Sequence, residues 1–409
     1  MKRLSRLAGA AAIAAATLAG TAHAQEVKLG VVLSNTGTFA FVGAPVINAI
    51  KLAHEEMVAA NYFGATKVTL MVEDNRSDKQ EALTLINRMA TRDNAIMVIG
   101  PVSTGEAMAA APLAVDLKIP LFTTATAPDV LKVGPWIFKS TETAEQFMTP
   151  LGKYVAEKVK PKTCTYVFIR DNEGYVRQKD ILRDTMKAGG VAVAGEESIL
   201  AADSDFTALA TKIVATKAEC LYLGTPPEQG ANIVIQARQA GMPASTVLVG
   251  NTGMGSARYL NAGGKLVEGT LLPAEFVPAG VNDMGTKFIK AYTDKYKSAP
   301  DSWAAVGYSM MLIAGNAIKQ AGPNPTREAV RDAMAKTSNL PVVVGQGKFS
   351  FDANRIPSFG AAVLQIKDGK WIQPCAQPWL DNRNRPTGRF PPGENNASDP
   401  CDRPDRRQP

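Results

Sequence analysis

The chain has 409 residues, 45% of them hydrophobic and 20% charged, with a formal net charge of +7. Its Lys and Arg residues are scattered rather than clustered among aromatics, which argues against a nucleic-acid partner. Beyond the N-terminal segment no stretch approaches the ~18 consecutive apolar residues of a membrane-spanning helix, so the chain is not expected to be membrane-inserted. The length predicts two domains.

Met1-Lys-Arg-Leu-Ser-Arg6 is a basic leader, Leu7 to Leu18 a short apolar core, and Ala22-His23-Ala24 a small-residue cleavage site. Residues 1–24 therefore read as a cleaved signal peptide, and the mature chain is expected to begin near Gln25 in an oxidising compartment. Its net charge is +4, because the leader holds three basic residues and no acid. No Cys stands directly after the cleavage point, so no lipid anchor is indicated.

The mature chain opens with a strand, Val27–Leu33, and a long loop, 34–43. Pro45 then suits the first turn of a helix with apolar residues at Val46, Ile47, Ile50, Leu52 and Ala53. A strand at Val68–Val72 ends in an acidic loop, and a helix over Lys79–Arg92 follows. The apolar run Ala95–Ile99 has the length of a buried parallel strand. Gly100-Pro101 ends it, Ser103 and Thr104 stand where a helix is N-capped, and that helix runs to about Lys118. A strand at Ile119–Phe122 then ends in Thr123-Thr124-Ala125-Thr126. This β-α-β-α-β-α-β order predicts a doubly wound sheet. Ligands of such sheets lie outside the carboxyl ends of the strands, where helix N-termini hold anions. Two successive hydroxyl-rich loops without a charged side chain suit a small carboxylate.

From Trp136 to Glu145 the pattern changes, and a second set of similar size begins. Strands are predicted at Thr163–Ile169, Val191–Glu196, Glu219–Leu223 and Thr246–Val249, with helices at Val176–Ala188, from Asp205 to Lys217, and at Gln229–Ala240. In a doubly wound sheet the strands from 163 and 219 are neighbours, so Cys164 and Cys220, which open them, are expected to pair. The chain then returns through a strand at Glu268–Leu272, helices at Asp283–Tyr296, Ser302–Ala321 and Thr326–Lys336, the segment Gln346–Phe351, and a hairpin over Ala361–Trp371 turning at Asp368-Gly369. Cys375 and Cys401 bracket a Pro- and Arg-rich tail and form the second expected disulfide. With no C-x-x-C spacing, and His54 the one histidine of the mature chain, neither a metal nor any cofactor is expected.

Enzyme motifs fail in turn. Ser34 to Thr38 hold one Gly where a dinucleotide fingerprint needs three, Gly253-Met-Gly255 lacks a third, and no Walker A sequence occurs. Gly100-Pro-Val-Ser103-Thr-Gly105 does not have nucleophile-elbow spacing. Nothing supports catalysis.

Ile99-Gly-Pro-x-Ser-Thr104 and Ala125-Thr126-x-Pro128 resemble the periplasmic binding proteins of branched-chain amino acid ABC importers, the Leu/Ile/Val-binding type, and the resemblance extends to about Gln373. It implies a type I α/β fold of two Rossmann-like lobes, 25–145 with 275–354 and 146–274 with 355–376, joined by a three-segment hinge and followed by the tail 377–409. By resemblance, Ser103 and Thr104 hold a ligand carboxylate, Ala125 and Thr126 hold an amino group, Tyr175 closes over the ligand, and Phe41 and Val42 contact its apolar part. Two departures stand out. Thr252 occupies the place of the carboxylate that pairs with a ligand ammonium, and Thr225 or Pro226 that of an aromatic. Glu228 could substitute as the acid, although an acid at a helix start more often serves the dipole. The expected ligand is thus a hydrophobic amino acid, or an aromatic or other organic acid without an ammonium. The expected partner is a membrane permease and the expected state a monomer. A ligand sensor of the same fold, or an α/β enzyme, are the alternatives.

Overall fold

The computed structural model describes residues 26–278 and 283–374. The expected signal peptide, the Cys375–Cys401 pair and the tail lie outside them.

A first sheet is built from β1 (Glu26–Leu33), β2 (Lys67–Asp74), β3 (Met97–Ile99), β4 (Leu121–Thr123) and β5 (Ile137–Lys139). All its pairings are parallel and its order is β2-β1-β3-β4-β5. Its helices are α1 (Ala40–Ala59), α2 (Lys79–Thr91) and α3 (Thr104–Asp116). Helices cover both faces, which is why β3 and β4 are buried at every residue and read as unbroken apolar runs. Val46 and Ile50 of α1 are fully buried, each contributing about 1.5–3 kcal/mol.

Next, α4 (Ala144–Tyr154) leads into a second sheet of β6 (Thr163–Ile169), β7 (Ala192–Ile199), β8 (Cys220–Gly224), β9 (Val247–Gly250) and β10 (Leu271–Ala274). The strands are linked through α5 (Glu173–Ala188), α6 (Thr207–Ala215), α7 (Pro227–Gln239) and α8 (Ala257–Gly263). The chain returns to the first sheet as α9 (Asp283–Tyr296), α10 (Ser302–Gln320) and α11 (Arg327–Ala335). A small antiparallel sheet follows, of β11 (Leu340–Pro341), β12 (Lys348–Phe351) and β13 (Pro357–Ser358). Then β14 (Ala362–Lys367) and β15 (Lys370–Ile372) extend the second sheet to β15-β14-β10-β9-β8-β6-β7. Asp368 and Gly369 both have positive φ, as a two-residue hairpin turn requires. The parallel strands of both sheets follow one order, in which the first strand lies between the second and the third, so each sheet has a switch point where a crevice opens. Cys164 and Cys220 are register partners on β6 and β8 and form a disulfide.

Two local expectations differ. Helix α1 begins at Ala40 rather than at Pro45, which sits inside it. The stretch after Trp136 contains β5, too short to show a period, and then α4, capped by Thr143 with Gln146 in a reciprocal capping box.

The chain passes between the sheets three times, and buried carboxylates tie the passages together. Glu142 Oε1 accepts from the amides of Phe359 (3.0 Å) and Gly360 (2.8 Å), while Glu275 Oε1 accepts from the amide of Glu142 at 2.8 Å. Lys139 Nζ, fully buried, donates to the main-chain oxygens of Glu142 (3.0 Å) and Thr126 (3.3 Å). Burial pushes the Lys139 amine down to about 7 and the Glu275 carboxyl up to about 8.

Candidate functional site

The cleft between the sheets is walled by the loops and helix N-termini that follow the strands. At the end of β3, Gly100 has a φ of +116°, and a Cβ there would lie 1.8 Å from the Val32 carbonyl oxygen, so this turn requires glycine. The turn delivers Ser103 as the N-cap of α3. Its Oγ accepts from the Glu106 amide at 3.2 Å, and the Glu106 carboxylate accepts from the Ser103 amide at 2.8 Å. The capping box leaves the Ser103 hydroxyl free to donate, and Ser103 and Thr104 both line the cleft.

The loop after β4 is sewn to this turn by hydroxyls. Thr123 and Thr124 donate to the carbonyls of Pro101 (2.6 Å) and Val102 (2.7 Å), and Thr104 Oγ1 accepts from the Thr126 amide at 3.3 Å. From the second sheet, Asn172 caps α5 by accepting from the Gly174 amide at 2.9 Å. A Cβ on Gly174 would meet Thr104 Oγ1 at 2.9 Å and Thr126 Oγ1 at 3.3 Å, so the N-termini of α3 and α5 abut across the cleft. At the rim, Arg177 bridges to Asp129 of the first lobe (3.1 Å) and to Glu145 (Nε–Oε1 2.9 Å).

These elements surround a cavity of about 420 Å³, the solvent-filled space at its mouth included. Of the residues predicted from sequence, Phe41, Val42, Ser103, Thr104, Thr126, Tyr175 and Thr252 line it. Tyr175 is buried, which raises its hydroxyl pKa, and Glu228 raises it further. Three predicted residues stand elsewhere. Ala125 is buried behind the wall, its carbonyl accepting from Thr141 at 3.0 Å. Thr225 turns inward, donating to the Pro226 carbonyl at 3.0 Å, and its own carbonyl accepts from Asn251 at 3.0 Å. Glu228, on the first turn of α7, pairs with Arg258 at 3.0 Å and does not reach the wall.

The cavity also takes in residues that sequence reasoning missed. Phe39, Asn172, Gln178 and Trp303 line it. Asn172 carried a readable signal, an Asn two residues before a Gly at a helix start; Trp303 and Gln178 carried none. Phe41 and Trp303 meet edge to face at 6.2 Å, and Phe39 lies 6.4 Å from Phe41, so one wall is aromatic. Among the described residues, none that lines the cavity is charged. What it offers is the positive ends of two helices, hydroxyls with free protons and aromatic faces, a set that suits a carboxylate on an apolar body.

Comparison with known proteins bears on the family and the fold. Residues 26–370 match the family described as periplasmic binding protein. A leucine-, isoleucine-, valine-, threonine- and alanine-binding protein of Pseudomonas aeruginosa is 27% identical over 86% of this chain and 92% of its own length. The branched-chain amino acid transporter substrate-binding protein of Streptococcus pneumoniae, solved with isoleucine, superposes with a TM-score of 0.78 at 22% identity over 86% of this chain and all of its own. An ABC transporter solute-binding protein of Rhodopseudomonas palustris, solved with 3,4-dihydroxybenzoic acid, gives 0.77 at 22% identity over 85% and 95%. The fold is the type I fold of these structures, and the chain belongs to the periplasmic binding protein family.

Proposed function

We propose that this protein captures a small carboxylic acid in the periplasm and presents it to the membrane permease of an ABC importer, as a monomer and without catalysis. The observation that carries the reading is the uncharged cavity where the N-termini of α3 and α5 meet. The carboxylate sits against Ser103 and Thr104, Thr126 adds a hydroxyl, and Tyr175 and Thr252 close from the second lobe. Capture is hinge closure about the three chain passages. Ligand must favour the closed form by about 5.5 kcal/mol to move the population from 1:99 to 99:1.

Among carboxylic acids, the walls favour one without an ammonium. Burying an ammonium with no carboxylate partner forfeits a charge-assisted hydrogen bond, Thr252 supplies no charge, and Glu228 is engaged by Arg258. One structural neighbour holds a benzoic acid and another holds isoleucine, so the fold admits both classes and the preference rests on the walls. The test is calorimetric titration of refolded, ligand-stripped protein with leucine, isoleucine, benzoate, the three hydroxybenzoates and the matching primary amides. Binding of an acid, with at least about tenfold loss in its amide, is expected. Equal binding of acid and amide, or no binding by any acid, overturns the reading.

A further inference from the structure

The amide of Gln178 is buried in the cavity wall, 4% exposed, one helical turn beyond Tyr175 on the same face of α5. Its Nε2 donates to Thr126 Oγ1 across the cleft at 3.4 Å, and its Oε1 has no partner. Exchanging the amide's O and N only changes which atom is left over. On the facing lobe, Trp303 is 6% exposed, lines the same cavity, and its indole Nε1 also has no partner. Buried polar groups in folded proteins are nearly always paired. Here one polar atom is left unpaired on each of two residues that line the same cavity from opposite lobes.

The geometry points to Gln178 as the residue that selects the ligand, an aromatic acid bearing a hydroxyl that the Gln178 amide binds. This rests on the carboxylate reading above. A hydroxyl both donates and accepts, so it satisfies whichever amide atom faces it and leaves its oxygen free to accept from the Trp303 indole. An ammonium would meet only a neutral partner, because no wall residue is charged. An unsubstituted acid would close the cleft over an unpaired amide, the situation in which sites built for a hydroxyl reject the analogue lacking it. The aromatic body is set by the wall of Phe39, Phe41, Tyr175 and Trp303.

The experiment compares benzoate with 2-, 3- and 4-hydroxybenzoate by calorimetry on the wild type and on Gln178→Met, which keeps length and volume but has no amide. Gln178→Leu serves as a second variant, and melting without ligand checks that each is folded. The wild type is expected to bind its best hydroxybenzoate on the order of 10- to 100-fold tighter than benzoate, and Gln178→Met to bind the two within about threefold of each other. The ratio of two ligands on one variant is a readout that a merely structural role for Gln178 would not move. A preference kept in both variants, no preference in the wild type, or tighter binding of leucine overturns the inference while the carboxylate reading stands. Failure of every acid to bind, or equal binding of the amides, overturns both.

Discussion

Gly174 is where closure can be tested with one methyl group. Its φ is not in the left-handed region, so alanine is allowed by the backbone, and within the first turn of α5 alanine is the better helix former by about 0.5–1 kcal/mol. In the closed cleft, however, the new Cβ lies 2.9 Å from Thr104 Oγ1, 3.1 Å from Asn172 Oδ1 and 3.3 Å from Thr126 Oγ1. Two of those oxygens belong to the opposite lobe and face the proposed carboxylate position. Overpacking of this kind costs about 1–3 kcal/mol, and here the inter-lobe part of the cost falls only on the closed form. Gly174→Ala should therefore weaken binding of the tightest acid in the panel by about 5- to 150-fold, with the ligand-free melting temperature equal to or above wild type. Calorimetry measures the first and scanning calorimetry the second. Unchanged affinity would refute the idea that the lobes close to this contact. An equal loss of ligand-free stability would show instead that the methyl is resented within one lobe.

The hinge carboxylates give two further tests. Glu142→Leu leaves the buried amides of Phe359 and Gly360 without an acceptor, partly offset by no longer burying a carboxyl whose pKa burial raises; a loss of about 2–4 kcal/mol, or roughly 3–6 °C in melting temperature for a chain of this size, is expected in scanning calorimetry. Burial holds Glu275 at about 8, above its ordinary 4.5, so its contribution is complete below pH 4.5 and is lost as pH rises through 8. Lys139, held at about 7 against an ordinary 10.5, acts oppositely: its contribution is complete above 10.5 and lost as pH falls through 7. Between pH 5 and 7 the Glu275 slope dominates. Gln at 275 keeps the hydrogen bond to the Glu142 amide without titrating, and melting curves from pH 5 to 8 should show a flatter decline than wild type; an unchanged slope would remove Glu275 as its source.

Much of the fold was legible because parallel strands buried on both faces are apolar runs separated by helices, and because small hydroxyl and glycine residues gather where those strands end. Ser103, Thr104, Thr126, Tyr175 and Thr252 all lie in or just after such loops, so locating the strand ends located most of the cavity. Trp303 was illegible because it enters from α10, after the chain has crossed between lobes twice, and no local pattern signals that return. Gln178 looked like any polar residue on an amphipathic helix; only the opposing lobe buries it. The same holds for Lys139, Glu142 and Glu275, charged residues that a sequence assigns to solvent and that the three converging passages enclose. Glu228, the candidate substitute acid, is instead held outside the wall by Arg258 on α8.

The most direct test of the central claim is small-angle X-ray scattering of ligand-stripped protein, alone, with the tightest-binding acid of the panel, and with that acid's primary amide at the same concentration. A radius of gyration that falls with the acid and stays at its ligand-free value with the amide is the expected result, since the carboxylate at the meeting of α3 and α5 is what draws the lobes together. An acid that binds in the calorimeter yet leaves the radius unchanged would contradict it.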